Sequence, residues 1–134
     1  MPMQVEGSCD NSDIDGAFSR IDLLREIADS DGKKPWSAGI FARVLAKKPD
    51  FRVVLISMET AARLKEHRVD GTSSVQVLKG SIRYSTGGHS YDLQAGTLIT
   101  LGASIGHEVE SLDESAFLLT ISRSGNRQLP VAAP

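Results

Sequence analysis

Cysteine is nearly absent: Cys9 is the only one in 134 residues. No intrachain disulfide can form, and a lone thiol within a polar leader is not a candidate nucleophile. Long apolar runs are missing too. Segments such as Val53 to Ile56 fall far short of the roughly 20 residues that span a bilayer, so no transmembrane helix is expected. Charge of one sign is not in excess, with 15 Lys and Arg against 17 Asp and Glu and a formal net charge of −2. Neither nucleic acid nor an anionic membrane is favoured as a partner. The N-terminus lacks the basic start and apolar stretch of a secretory signal, because Glu6, Asp10, Asp13 and Asp15 precede the first basic residue, Arg20. A cytoplasmic location is expected on that ground. No G-x-S-x-G elbow, P-loop or dinucleotide fingerprint occurs, and the glycines of SVQVLKG and GSIRYSTGG open no helix that could hold phosphate.

What is present suits one domain with an ordinary soluble composition, 40% hydrophobic and 24% charged. Residues 1–16, MPMQVEGSCDNSDIDG, carry turn formers and acids without periodic hydrophobicity and read as a flexible leader. Ile21, Leu24, Ile27 and Ala28 then recur at three- and four-residue spacing. With Ser19 as the cap and Gly32 as the stop, they predict one amphipathic helix over about residues 19–30. Everything after Lys34 reads as strand. Residues 38–46 and 51–58 should form a hairpin across Lys47-Lys48-Pro49-Asp50, where proline fixes φ for the turn. Further strands are expected at 63–67, 73–79, 81–86, 89–93, 97–101, 107–111 and 116–122. Gly87-Gly88 suits a two-residue turn, since both of its central positions need positive φ. Many short strands after a single early helix predict an all-β antiparallel barrel or sandwich over residues 17–124, with a loose tail at 125–134.

Two stretches organise that pattern, EHRVDGTSSVQVLKG at 66–80 and AGTLITLGASIGHEVES at 95–111. Together they resemble the two-part signature of the cupin superfamily, G-x5-H-x-H-x3,4-E-x6-G followed by G-x5-P-x-G-x2-H-x3-N. His67 falls at the first histidine, Val69 at the second, Ser73 at the glutamate and Gly80 at the closing glycine. In the second part Gly96 opens, Gly102 stands for the proline, Ser104 for the glycine, His107 matches the histidine and Ser111 stands for the asparagine. The resemblance covers about residues 52–122. It implies a small RmlC-like barrel, a double-stranded β-helix or jelly roll, commonly paired into a homodimer.

The resemblance also implies a site inside the barrel. Catalytic cupins hold a divalent metal with three histidines and a glutamate, and here only His67 and His107 match. Val69 has no donor atom and Ser73 offers a neutral hydroxyl. A catalytic metal needs about three protein ligands, so no cofactor is expected, and a metal, if bound, would sit on His67 and His107. His89, at a hairpin tip after Gly87-Gly88, reads as a solvated turn residue. Alternation along the strands gathers His67, Val69, Ser73 and Val75 on one wall and His107 and Val109 on another. That is an apolar pocket with a few polar groups, suited to a small-molecule ligand. The alternatives are a barrel interior filled by its own side chains, and a metal-dependent enzyme of dioxygenase or isomerase type with a reduced ligand set. Tyr84 and Tyr91 read as packing residues, and Phe117, Leu119 and Ile121 as a buried stripe.

Overall fold

The alternation of apolar and polar residues resolves into strands along most of the chain. The computed structural model describes residues 5–6, 12–13 and 18–123, with the backbone alone at residues 5, 6, 12, 13, 66 and 67. In chain order come three two-residue strands, β1 (Val5–Glu6), β2 (Ser12–Asp13) and β3 (Phe18–Ser19), and the helix α1 (Leu23–Asp31). The barrel strands are β4 (Ile40–Lys48), β5 (Phe51–Met58), β6 (Arg63–His67), β7 (Thr72–Lys79) and β8 (Ser81–Thr86). They continue with β9 (His89–Gln94), β10 (Leu98–Leu101), β11 (His107–Ser111) and β12 (Ser115–Ser122). Apart from β1 and β2, the leader at 1–16 lies outside the described residues, as does the tail at 125–134.

The helix starts later than its periodicity suggests. Asp22, not Ser19, is the cap: its backbone is extended and its carboxylate accepts from the Arg25 N–H at 3.2 Å. Ser19 is extended in β3, paired with Ser12. Gly32 ends the helix as expected, its N–H reaching the Ala28 and Asp29 carbonyls.

The strands form a six-stranded sheet, ordered β1-β4-β5-β12-β7-β10, and a four-stranded sheet, ordered β6-β11-β8-β9. The chain crosses between sheets at nearly every connection after β5, which rolls them into the expected jelly roll. One apolar cluster fills the space between the sheets, with Val54, Ile56, Met58, Val75, Val77 and Phe117 from one side and Ile82, Tyr84, Leu93 and Val109 from the other. A second lies under α1, where Ile27 meets Leu45, Leu55 and Ala116 on the outer face of the large sheet. Arg43 crosses that outer layer, donating to Glu26 at 2.7 Å and reaching Asp29 at 2.9 Å. Burial alone would lower the Arg43 pKa, but the two carboxylates outweigh it and hold it above the ordinary value.

Pairing between β4 and β5 slips by one residue at Leu45: Val44 pairs with Val54, but Ala46 pairs with Val53 and Lys47 with Arg52. Leu45 stays under the helix while Lys47 comes opposite Arg52. Two turns behave as their glycines require. Gly87 and Gly88 have φ of 60° and 81° between β8 and β9. Gly80 has φ 70°, and a Cβ there would collide with the Glu114 carbonyl.

Candidate functional site at the barrel mouth

β6 ends at His67 and β11 begins at His107, and the backbone register pairs the two residues directly. His107 also pairs with Thr86 of β8, and Thr86 with His89 of β9. All three histidines of the chain therefore lie on one row, His67–His107–Thr86–His89, across the small sheet at the mouth of the barrel. The loops that leave β6 and enter β11 are tied at the same end. The Ser104 N–H donates to the Val69 carbonyl at 2.9 Å, and Arg68 donates to the Ser104 carbonyl at 2.7 Å.

His107 is 4% exposed and opens a strand in which buried and half-buried residues alternate. Its ring stacks on Tyr84 with centroids 5.3 Å apart and planes at 11°. Nδ1 lies 3.3 Å from the Ile105 carbonyl. A carbonyl only accepts, so this contact calls for the hydrogen on Nδ1. The Tyr84 ring is buried in the inter-sheet cluster, and its hydroxyl has no hydrogen-bond partner among the described residues. Burial pushes that hydroxyl up to about 12.

An open cleft of about 370 Å³ is bordered by His107, Thr86, Gly106, Glu108 and His89. The sequence reading sets His89 apart at its hairpin tip. The tip reaches this cleft because His107 is the first residue of β11 rather than a mid-strand one. Of the other expected pocket residues, Val75 and Val109 pack into the inter-sheet cluster and Ser73 is buried one step nearer the mouth. Val69 is half-buried on the loop after β6 and borders a different cavity, alongside arginines. The structure thus brings His67, His107 and His89 into one row, places Val75 and Val109 beneath them, and sets Val69 aside. Tyr84 as the ring beneath His107 and Thr86 as the link between histidines carried no motif signal; both depend on register across strands distant in sequence.

Val69 and Ser73 stand at two of the four positions where the cupin signature carries metal ligands. Among the described residues, which leave out the His67 side chain, no group of three His, Cys, Asp or Glu is placed to hold an ion.

No family model and no curated protein matches the sequence. Solved structures do match in fold. A cupin-2 domain containing protein from Shewanella frigidimarina is 20% identical, with a TM-score of 0.61 over 77% of this chain and 94% of its own. An RmlC-like cupin from the same organism is 17% identical, with a TM-score of 0.62 over 67% and 81%. A salicylate 1,2-dioxygenase variant from Pseudoaminobacter salicylatoxidans is 14% identical, with a TM-score of 0.60 over 75% of this chain and 31% of its own. The fold is the cupin fold, in its RmlC-like, single-barrel form. Among the described residues no helix is long and apolar enough to cross a membrane.

Proposed function

We propose that this cupin-fold chain binds a small organic molecule at the barrel mouth, with His67 and His107 as its principal polar contacts. The observation that carries this reading is the direct pairing of His67 with His107 beside an open cleft, over a buried tyrosine whose hydroxyl has no hydrogen-bond partner among the described residues. Imidazoles titrate near neutrality and can donate to or accept from a carbonyl or carboxylate ligand. Val75, Val109 and Tyr84 form the apolar floor, Ser73 stands at its edge, and Val69 contributes through its carbonyl to the loop that frames the mouth. The ligand is organic and the chemistry is binding; no reaction step is assigned. A cytoplasmic homodimer completes the reading, supported by the exposed Tyr91 and Leu98 on the edge strands β9 and β10.

The test is a metabolite panel read by thermal unfolding of the full chain, with metal content measured on the same preparation. A ligand should raise the midpoint, His107→Ala and His67→Ala should remove the rise, and metal should stay well below one equivalent per chain. Stoichiometric iron, manganese, nickel or zinc would favour the metal-dependent enzyme instead. Sedimentation velocity at micromolar concentration checks the dimer.

A further inference from the structure

The geometry points to a second binding site at the barrel rim, on the large sheet, that takes an oxyanion: the carboxylate or phosphate group of a small molecule. It does not rest on the histidine reading.

Register builds the site. Leu101 pairs with Ser73, Ser73 with Ile121, Ile121 with Arg52 and Arg52 with Lys47, giving one row across the large sheet. Arg52 is in phase with Val54 and Ile56, which face the other sheet, so it stands at the end of the barrel's inner face. The connections 68–71 and 102–106 join this row to the histidine row, so both lie at the same mouth. A cavity of about 240 Å³ opens there, lined by Arg52, Arg68, Val69, Asp70, Ile121 and Arg123.

The cavity presents three guanidiniums and a single carboxylate. Arg68 is held to the wall by the Ser104 carbonyl at 2.7 Å. Neither Arg52 nor Arg123 makes an ion pair with any described residue, and the Arg52 Nε is buried without a hydrogen-bond partner. A buried guanidinium N–H without an acceptor is costly. Directly opposite, Lys47 adds a like charge, an arrangement that destabilises a strand pair when nothing neutralises it. An acceptor-only group of negative charge relieves both, and the planar guanidinium fork matches carboxylate and phosphate oxygens in pairs. Val69 and Ile121 supply an apolar wall for an attached carbon skeleton. The bland reading is that water satisfies Arg52 and solvent screens Arg123, which predicts no saturable binding.

The experiment titrates the full chain with sodium phosphate and, separately, sodium acetate at ionic strength held constant with chloride, reading the unfolding midpoint. Constant ionic strength and saturation separate site binding from the general stabilising effect of phosphate salts, which rises without saturating. The expected result is a saturable rise in at least one arm, and the arm with the lower half-saturation names the preferred oxyanion. Arg52→Gln and Arg123→Gln should each raise half-saturation at least tenfold, Arg52→Lys less, while Lys33→Gln leaves it unchanged. Arg123 lies beyond the last strand, so its variant carries the test should Arg52→Gln fold poorly. A rise that never saturates in the parent chain, or half-saturation unaltered in Arg123→Gln, would overturn the site.

Discussion

His107 lies flat against Tyr84, with ring centroids 5.3 Å apart and planes at 11°, so the buried phenol ring fixes the plane of the imidazole that borders the cleft. Stacking of this kind orients His107 without consuming its ring nitrogens. The Tyr84 hydroxyl, without a partner among the described residues, gives this contact a testable energetic side.

Removing that hydroxyl should not destabilise the ligand-free protein. A buried hydroxyl without a partner costs about 1–3 kcal/mol, so Tyr84→Phe should raise stability or leave it unchanged in urea unfolding. A loss above about 1 kcal/mol would show that the hydroxyl is satisfied in solution.

The same group makes stability depend on alkaline pH. Its folded pKa, raised to about 12 by burial, exceeds the ordinary tyrosine value of 10.0. The stabilising contribution is complete below pH 10 and is lost as pH rises toward 12, at up to about 1.4 kcal/mol per unit. The difference between the parent chain and Tyr84→Phe, measured by urea unfolding from pH 9 to 11.5, should therefore shift in favour of the variant as pH rises. A flat difference would remove Tyr84 as its source.

Ser104 occupies the position of a family glycine and has a φ of 63°, the left-handed conformation glycine adopts freely. Holding a non-glycine residue there costs about 1 kcal/mol. Ser104→Gly should raise stability by up to about 1 kcal/mol, less the added freedom of the unfolded chain. Thermal unfolding checks it, and a drop in the midpoint would assign the Ser104 side chain a role of its own.

Gly80→Ala should be poorly tolerated, because the site combines φ 70° with a collision against the Glu114 carbonyl. Gly87→Ala has open space around its Cβ and carries only the backbone term of about 1 kcal/mol. Chemical denaturation should rank the two losses in that order.

Breaking the ion pair beneath the helix should be expensive. Glu26→Ala takes from Arg43 its 2.7 Å carboxylate partner, with the more exposed Asp29 still at 2.9 Å, and should cost about 3 kcal/mol. Replacing Glu26 and Arg43 together with Leu and Met should recover much of that loss. Equilibrium unfolding of the single and double variants measures it.

Strand positions were readable in the sequence because glycine and proline punctuate the chain and period-two alternation survives in each segment. The hairpin at Pro49-Asp50, the turn at Gly87-Gly88 and the inward set Val75, Val77, Val109 all follow from local chemistry. The cupin spacing of His67 and His107 implies that two residues forty apart meet in one cavity inside the barrel; their backbones pair directly, at its mouth. What local pattern could not supply was cross-strand register. The approach of His89 to the cleft, the stacking of Tyr84 under His107 and the meeting of Arg52 with Lys47 depend on which residue faces which. The helix starts later than its periodicity suggests for a related reason: Ser19 and Asp22 are both good caps, and Ser19 is extended, paired with Ser12.

The slipped register at Leu45 has a consequence for how this rim can evolve. Had the pairing run on from Val44–Val54 without the slip, Ala46 rather than Lys47 would face Arg52, and the lysine would turn to the opposite side of the sheet. Deleting the extra residue, Leu45, leaves Ala46 opposite Val53 and Lys47 opposite Arg52, so a one-codon loss there removes a contact under the helix and keeps the positive charge at the mouth.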